Sequence, residues 1–302
     1  MGGGDVLLVG LCTVDLVHRV AKLPTAGQKL QSTAAVELVA GGPAANAAVT
    51  AAALGSEARL VTILGSHPLA GLARADLTAH GVRVVDLRPE LAEPPTVSTV
   101  VVRDRDGERI VVSHNAADVC PPATMPLWWP LLVNVGAVLV DGHHPTLAVA
   151  AARAARGRRV PVVLDAGSDK HVLSELLPLV DVCACSASFR LGRATARGTE
   201  RAVHGAGVPV VIRTDGAAPV RWSVRLDGRV TTGYARPPAV VPRDTLGAGD
   251  AWHGALAAGV ARLGRVPSAD ELTGLVESAN RVAATRVGMV GARAWLARLN
   301  SD

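Results

Sequence analysis

"AVLVDGHHPTLAVAAARAARGRRVPVVLDAG", residues 137–167, holds a short apolar run, an alanine-rich stretch opened by Pro145 and closed by Gly157, and a second apolar run. Runs that are apolar on both faces and joined through a helix suit neighbouring parallel strands covered on both sides. The alternation extends outward. "VLLVG" (6–10), "ARLVTILG" (58–65), "VRVVDL" (82–87), "VDVCACS" (180–186) and "VPVVIRTDG" (208–216) read as further strands, with helices over "PAANAAVTAAALG" (43–55) and "PLAGLARADLTAHG" (68–81). The expected fold class is α/β: a doubly wound, mainly parallel sheet flanked by helices. In such sheets ligands gather at the carboxyl ends of the strands.

"TVSTVVVRDRDGERIVVSHN" (96–115) breaks the rhythm, reading as two alternating strands around an Asp106-Gly107 turn. With residues 13–36 it is expected to form a small β lid inserted in one domain spanning 1–302. The apolar "TVSTVVV" is expected at the edge of that ribbon, where a second subunit would cover it in a homodimer. Strand alternation would place Arg103, Arg105 and Arg109 on one face. A late helix is expected to open at the capping box of Ser268 and Glu271 and to close at Gly288.

The 302 residues are 49% hydrophobic and 19% charged, enough apolar surface for a substantial core. The net charge of +5 comes from scattered arginines, with only Lys22, Lys29 and Lys170 as lysines, so no basic stripe points to nucleic acid. No run approaches the roughly 18 apolar residues of a membrane span, and the first residues lack a signal-peptide pattern, so the expected location is the cytoplasm. Cys12, Cys120, Cys183 and Cys185 lack metal-ligand spacing and read as buried free thiols.

Other enzyme classes lack their motifs. Gly2-Gly3-Gly4 precedes the first strand, where a dinucleotide fingerprint would follow it, and no P-loop, G-x-S-x-G or H-E-x-x-H is present. His143-His144 follows a strand; adjacent histidines do not both face one ligand from regular structure, so polar lining of a substrate site fits better than a metal. His253 reads as packing on a buried helix.

Chemistry concentrates in two glycine-rich helix starts. In "DTLGAGDAWHGALAAGV" (244–260), Gly247, Ala248 and Gly249 bare the first-turn amides of an apolar helix, an anion site with Asp250 at its edge. Such a carboxylate can take the proton of an alcohol attacking phosphorus while the amides neutralise the transferred group. Taken alone, the same residues also fit an N-cap and a turn. In "VAGGPAANAAVTAAALG" (39–55), Gly41 and Gly42 lead into Pro43 at a first helical turn from which Asn46 projects. Asp15, after the first strand, offers an acceptor for vicinal hydroxyls.

Together these two segments resemble the signatures of the ribokinase-like (PfkB) carbohydrate kinase family, in the right order and separation. "GGPAA", "GDAWHGALA" and "DGHHP" are most similar to ketohexokinase-like and sulfofructose-kinase-like members. The resemblance implies ATP with Mg2+, and in many members a monovalent cation such as K+ near the second signature. It implies Asp250 as general base, with Gly247, Ala248 and Gly249 as the anion hole. Asp15, Gly41, Gly42, Asn46, Asn115 and His143 would line the sugar site, closed over by Arg109. Arg213, Thr214 and Gly216 would contact the nucleotide phosphates, and Asn280 and Gly288 would lie on the adenine side. The chain departs from the family where many members carry Asn-x-x-Glu: here "CACSASFRLG" (183–192) has neither residue, so no metal ligand is assigned.

Segments 13–36 and 96–115 contain no aromatic residue on which a base would stack, which favours a sugar over a nucleoside. A neutral ketose is expected first. The alternatives are a phospho- or sulfo-sugar, a nucleoside, or a non-catalytic sugar or nucleotide sensor.

Overall fold

The computed structural model describes residues 4–116 and 127–299. Strands β1 (Asp5–Val9), β4 (Ala58–Thr62), β5 (Val82–Asp86), β8 (Val135–Val140), β9 (Val162–Ala166), β10 (Val182–Cys185), β11 (Val210–Arg213), β12 (Val220–Leu226) and β13 (Arg229–Ala235) form the main sheet. Its order is β13-β12-β11-β10-β9-β8-β1-β4-β5, parallel from β11 to β5. The doubly wound reading holds. At the far edge β12 and β13 form an antiparallel hairpin turning at Asp227 (φ 48) and Gly228 (φ 76). Left-handed backbone at both turn residues is what an Asp-Gly hairpin requires.

Successive side chains of β1 serve opposite cores. Val6 and Leu8 pack with α1 (Pro43–Ala53), α2 (Pro68–Ala79), α7 (Ala248–Leu263) and α8 (Ala269–Val287). Leu7 and Val9 pack with α4 (Pro145–Gly157), the short α5 (Leu173–Leu176) and α6 (Ala196–Gly205). Two further four-residue helices are α3 (Trp128–Leu131) and α9 (Leu296–Leu299). The capping box of Ser268 and Glu271 opens α8, and Gly288 caps its end. Cys12, Cys183 and Cys185 are buried free thiols, and Cys120 lies outside the described residues. Among the described residues no helix is long and apolar enough to cross a membrane.

One packing contact positions the site. A Cβ at Gly254 of α7 would fall 2.4 Å from the Ala47 carbonyl oxygen of α1. Its absence lets the two helices touch backbone to backbone, so their amino ends open side by side.

A second sheet, in the order β3-β2-β6-β7, is built from β2 (Thr13–Val20), β3 (Glu37–Gly41), β6 (Val97–Arg103) and β7 (Arg109–Ser113). The ribbon around Asp106-Gly107 is present, but "TVSTVVV" is not its edge. Strand β6 pairs with β2 on one side and β7 on the other. The open edges are β3 and β7, where Leu38, Val111 and Val112 are exposed. The ribbon tip docks on the loop before α7: Thr245 Oγ1 donates to the Gly107 carbonyl at 2.7 Å.

Candidate active site

Gly247 caps α7 with φ 67 and ψ 11, a left-handed conformation that a side chain would strain. A Cβ on Gly249 would meet nothing beyond its own turn, and in that turn the Ala248 amide makes only a long, 3.4 Å bond to the Thr245 carbonyl. Asp250 sits in that turn. Its Oδ2 accepts from Asn46 Nδ2 at 2.8 Å, and Asn46 Oδ1 accepts from Arg293 Nη1 at 3.1 Å. Arg293 lies between α8 and α9; its Nη2 donates to Asp76 Oδ2 at 2.9 Å and to the Ala40 carbonyl at 2.6 Å.

Asp15, Asn46, Gly247, Arg293 and Trp295 line one small pocket. Asp15 is buried and accepts from Thr13 Oγ1 at 2.6 Å. Burial pushes its carboxyl above the ordinary value, and the charge of Asp250 adds to this, while hydrogen bonds from Thr13 and Ser98 oppose it. Gly41 is what admits it: a Cβ there would fall 2.1 Å from the Asp15 carboxyl carbon. Gly42, at φ 91, brings the start of α1 against the Leu11 carbonyl, which would lie 2.5 Å from an added Cβ.

The next strand ends bring two buried acids. Asp141 accepts from the amides of Leu11 at 2.8 Å and His143 at 2.9 Å, holding the loop after β1 to the loop after β8. Asp165, at the end of β9, lies with its Oδ2 3.4 Å from His253 Nδ1, which is also 2.8 Å from the Gly249 carbonyl. Burial raises the Asp165 carboxyl; His253 opposes the shift, and Asp250 and Asp141 add to it. His143 is half-buried beside this group, and burial lowers its imidazole against the pull of Asp141. His144 turns into the core as the N-cap residue of α4, so the two histidines part as adjacent residues must.

The remaining expected site residues lie further off. Arg109, exposed on β7, donates to Thr245 Oγ1 at 2.7 Å and so reaches the second signature. Asn115 is exposed at φ 53 beyond the ribbon. Arg213 donates to the Ser186 carbonyl at 3.0 Å, and the Thr214 amide donates to the Cys185 carbonyl at 2.9 Å; Gly216 is open to solvent at φ 54. Asn280 is buried, its Oδ1 accepting from Trp252 Nε1 at 2.9 Å, and Gly288 packs against Val240.

The expectation of three arginines on one face is corrected. Strand β6 ends at Arg103, whose guanidinium bonds Asp106 at 2.8 and 2.9 Å and also Glu108, while Arg105 lies in the turn beside Asp106. The turn acids capture both before alternation can align them.

Arg293, Asp76, Asp141 and Asp165 went unread in the sequence. The acids at the ends of β8 and β9 had a signal, a carboxylate just after an apolar run. Arg293 had none, because its partners are remote in sequence.

The metals and cofactors that the family resemblance implies can be tested against these residues. Among the described residues no three His, Cys, Asp or Glu side chains gather as a metal site. Mg2+ commonly needs only one or two carboxylates besides nucleotide phosphates, and the charge of Asp250 reaches Asp165, so these two would hold an ion carried in with the nucleotide. A monovalent cation at the second signature fits poorly. Asp244, the buried carboxylate there, already pairs with Arg19 and, at 3.3 Å, with Arg286.

A model of the family described as pfkB family carbohydrate kinase matches residues 4–297. The chain belongs to this family. This pfkB-family protein is an ATP-dependent carbohydrate kinase. It is 24% identical to the ribokinase of Bacillus subtilis over 98% of this chain and 97% of that one. A structure from Agrobacterium tumefaciens, provisionally described as a ribokinase, is 26% identical with a TM-score of 0.83, covering 99% of this chain and 97% of that one. Arabidopsis thaliana ribokinase, solved with ribose and ATP, shares the fold at TM-score 0.75 and 23% identity over 98% of each chain. These relatives do not single out a ketohexokinase-like or sulfofructose-kinase-like subfamily for this kinase.

Proposed function

We propose that this kinase transfers the γ-phosphoryl group of ATP to a hydroxyl of a neutral monosaccharide, with Asp250 as the general base. The observation that carries the reading is the single pocket shared by Asp15, Asn46 and the start of α7, with Asn46 bonded to Asp250. Asp15 and Asn46 grip the sugar. Asp250 takes the proton as the alcohol O–H bond breaks, the oxygen attacks phosphorus, and the bond to the ADP oxygen opens. The amides of residues 247–249 neutralise charge on the transferred group, where preorganised donors cost no reorganisation. Mg2+ bound with the nucleotide would spread the charge of its phosphates. Arg213, Thr214 and Gly216 lie on the nucleotide side in this reading.

The four-stranded sheet acts as a lid on one domain, with Arg109 tying its ribbon to Thr245. A neutral acceptor is favoured over an anionic one because Arg103 and Arg105 are engaged by turn acids. A ketose is the expected class from the sequence, and ribose belongs in the same test because the relatives include ribokinases. The exposed valines of β7 leave a homodimer through the lid as part of the proposal, and use of ATP agrees with a cytoplasmic location.

The test is ADP release with ATP and Mg2+ against ketoses, aldoses, phospho- and sulfo-sugars and nucleosides, with Asp250→Asn alongside. Turnover with a neutral sugar, lowered about 10²-fold or more in the variant, is the expected result. Retained turnover in Asp250→Asn removes the base from the mechanism. Ligand-induced stabilisation without any turnover points to a sensor.

A further inference from the structure

We propose that Arg293 is a positioning residue for Asp250, acting through the amide of Asn46; the inference rests on the kinase reading above. Arginine only donates hydrogen bonds, and an ionised carboxylate only accepts them. Asn46 stands between the two, with Oδ1 toward Arg293 Nη1 and Nδ2 toward Asp250 Oδ2. Turning the amide over would set its NH2 against the guanidinium and its oxygen against the carboxylate, two repulsive contacts in place of two charge-assisted bonds. The amide is therefore locked, Nδ2 occupies Asp250 Oδ2, and Oδ1 is left to receive the proton of the acceptor alcohol.

Arg293 is itself held from three directions. Its Nε and Nη2 bond Asp76 Oδ2 of α2 at 3.2 and 2.9 Å, and Nη2 bonds the Ala40 carbonyl. Its turn is pinned by the Ala292 amide, which donates to Glu37 Oε2 at 3.0 Å. Asp76 also accepts from the Ala40 amide at 3.0 Å. The relay Asp76–Arg293–Asn46–Asp250 thus draws on α2, the turn before α9, α1 and α7. It fixes the base relative to the pocket wall without Arg293 touching Asp250.

The decisive experiment is a double-mutant cycle on kcat and KM with Arg293→Met, Asn46→Ala and the pair. Hydrogen bonds to charged groups are each worth about 1.5–3 kcal/mol, so Arg293→Met is expected to lower kcat about 10–100-fold with the KM for ATP unchanged. In the Asn46→Ala background the same change is expected to cost nothing further, because its route to Asp250 is already cut. Losses that multiply independently, or a wild-type kcat in Arg293→Met, overturn the proposal. If Arg293→Met does not fold, Asp76→Asn keeps the side-chain shape while weakening the anchor; it is expected to give a smaller loss in the same direction, and an unchanged kcat counts against the relay. If the wild-type chain phosphorylates no sugar, the kinase reading falls, and the relay is read by NMR instead. The side-chain amide protons of Asn46 should then exchange slowly in the wild type and fast in Arg293→Met, and equal exchange overturns the lock.

Discussion

Asn46, in the first turn of α1, donates from Nδ2 to Asp250 Oδ2, in the first turn of α7, at 2.8 Å across a sequence separation of 204 residues. Two helix amino ends therefore meet over one pocket. Each on its own is an ordinary glycine-flanked start; joined, they bond Asp250 to Asn46, which lines one pocket with Gly247 and Asp15. The backbone contact at Gly254 makes the meeting possible.

The closeness of Gly41 to Asp15 gives a test of the sugar site. A methyl group at Gly41 would lie 2.1 Å from the Asp15 carboxyl carbon, so Gly41→Ala must drive Asp15 away. Loss of a hydrogen bond to a charged group should raise the KM for the sugar about 10–100-fold, with the KM for ATP unchanged. Initial-rate kinetics on both substrates decide it; an unchanged sugar KM would take Asp15 out of the sugar site.

Asp244 offers a stability test. It is 1% exposed and faces the guanidinium groups of Arg19 and Arg286, both nearly buried. Asp244→Ala strands two buried cations and is expected to cost about 3–5 kcal/mol. Arg19→Met should cost less, because Arg286 still compensates the carboxylate. Urea unfolding measures both, and a larger loss in Arg19→Met would contradict this division.

The same cluster bears on ion dependence. With two guanidinium groups on Asp244, exchange of K+ for tetramethylammonium is expected to leave kcat unchanged. A fall in kcat restored by K+ would show a cation held there on backbone carbonyls.

Asp165 should make stability depend on pH. Burial holds its carboxyl above the ordinary value of 3.8. A carboxyl raised in the folded state binds its proton more tightly there than in the unfolded chain. Its stabilising contribution is complete below pH 3.8 and is lost as the pH rises through the folded value. Asp165→Asn removes this term, so its stability relative to wild type is expected to grow from pH 4 toward neutrality. Thermal unfolding across that range tests the sign, and a constant difference would refute it.

The sequence by itself determined the elements whose signals are local. Apolar runs of strand length, glycine and proline at helix ends, and the Ser268–Glu271 box marked the parallel sheet and α8 because each depends on residues within a few positions. The glycines at 41–42 and 247–249 marked the two helix starts for the same reason: a bare, left-handed or closely packed backbone admits little else. The hairpin of β12 and β13 went unread, although Asp227-Gly228 carries the same local turn signal as Asp106-Gly107.

Only the tertiary structure decided what depends on distant pairing. Strand β6 looked like an edge from its own composition, yet it lies between β2 and β7 because residues 13–20 come back to it in parallel. Arg103 and Arg105 turned to the acids of their own turn once the strand ended. Arg293 became part of the site through Asp76, 217 residues away, and Asn46, 247 residues away. A side chain's hydrogen-bond partner is chosen by where the fold brings donors and acceptors together, and a linear pattern carries that only when the partners are neighbours.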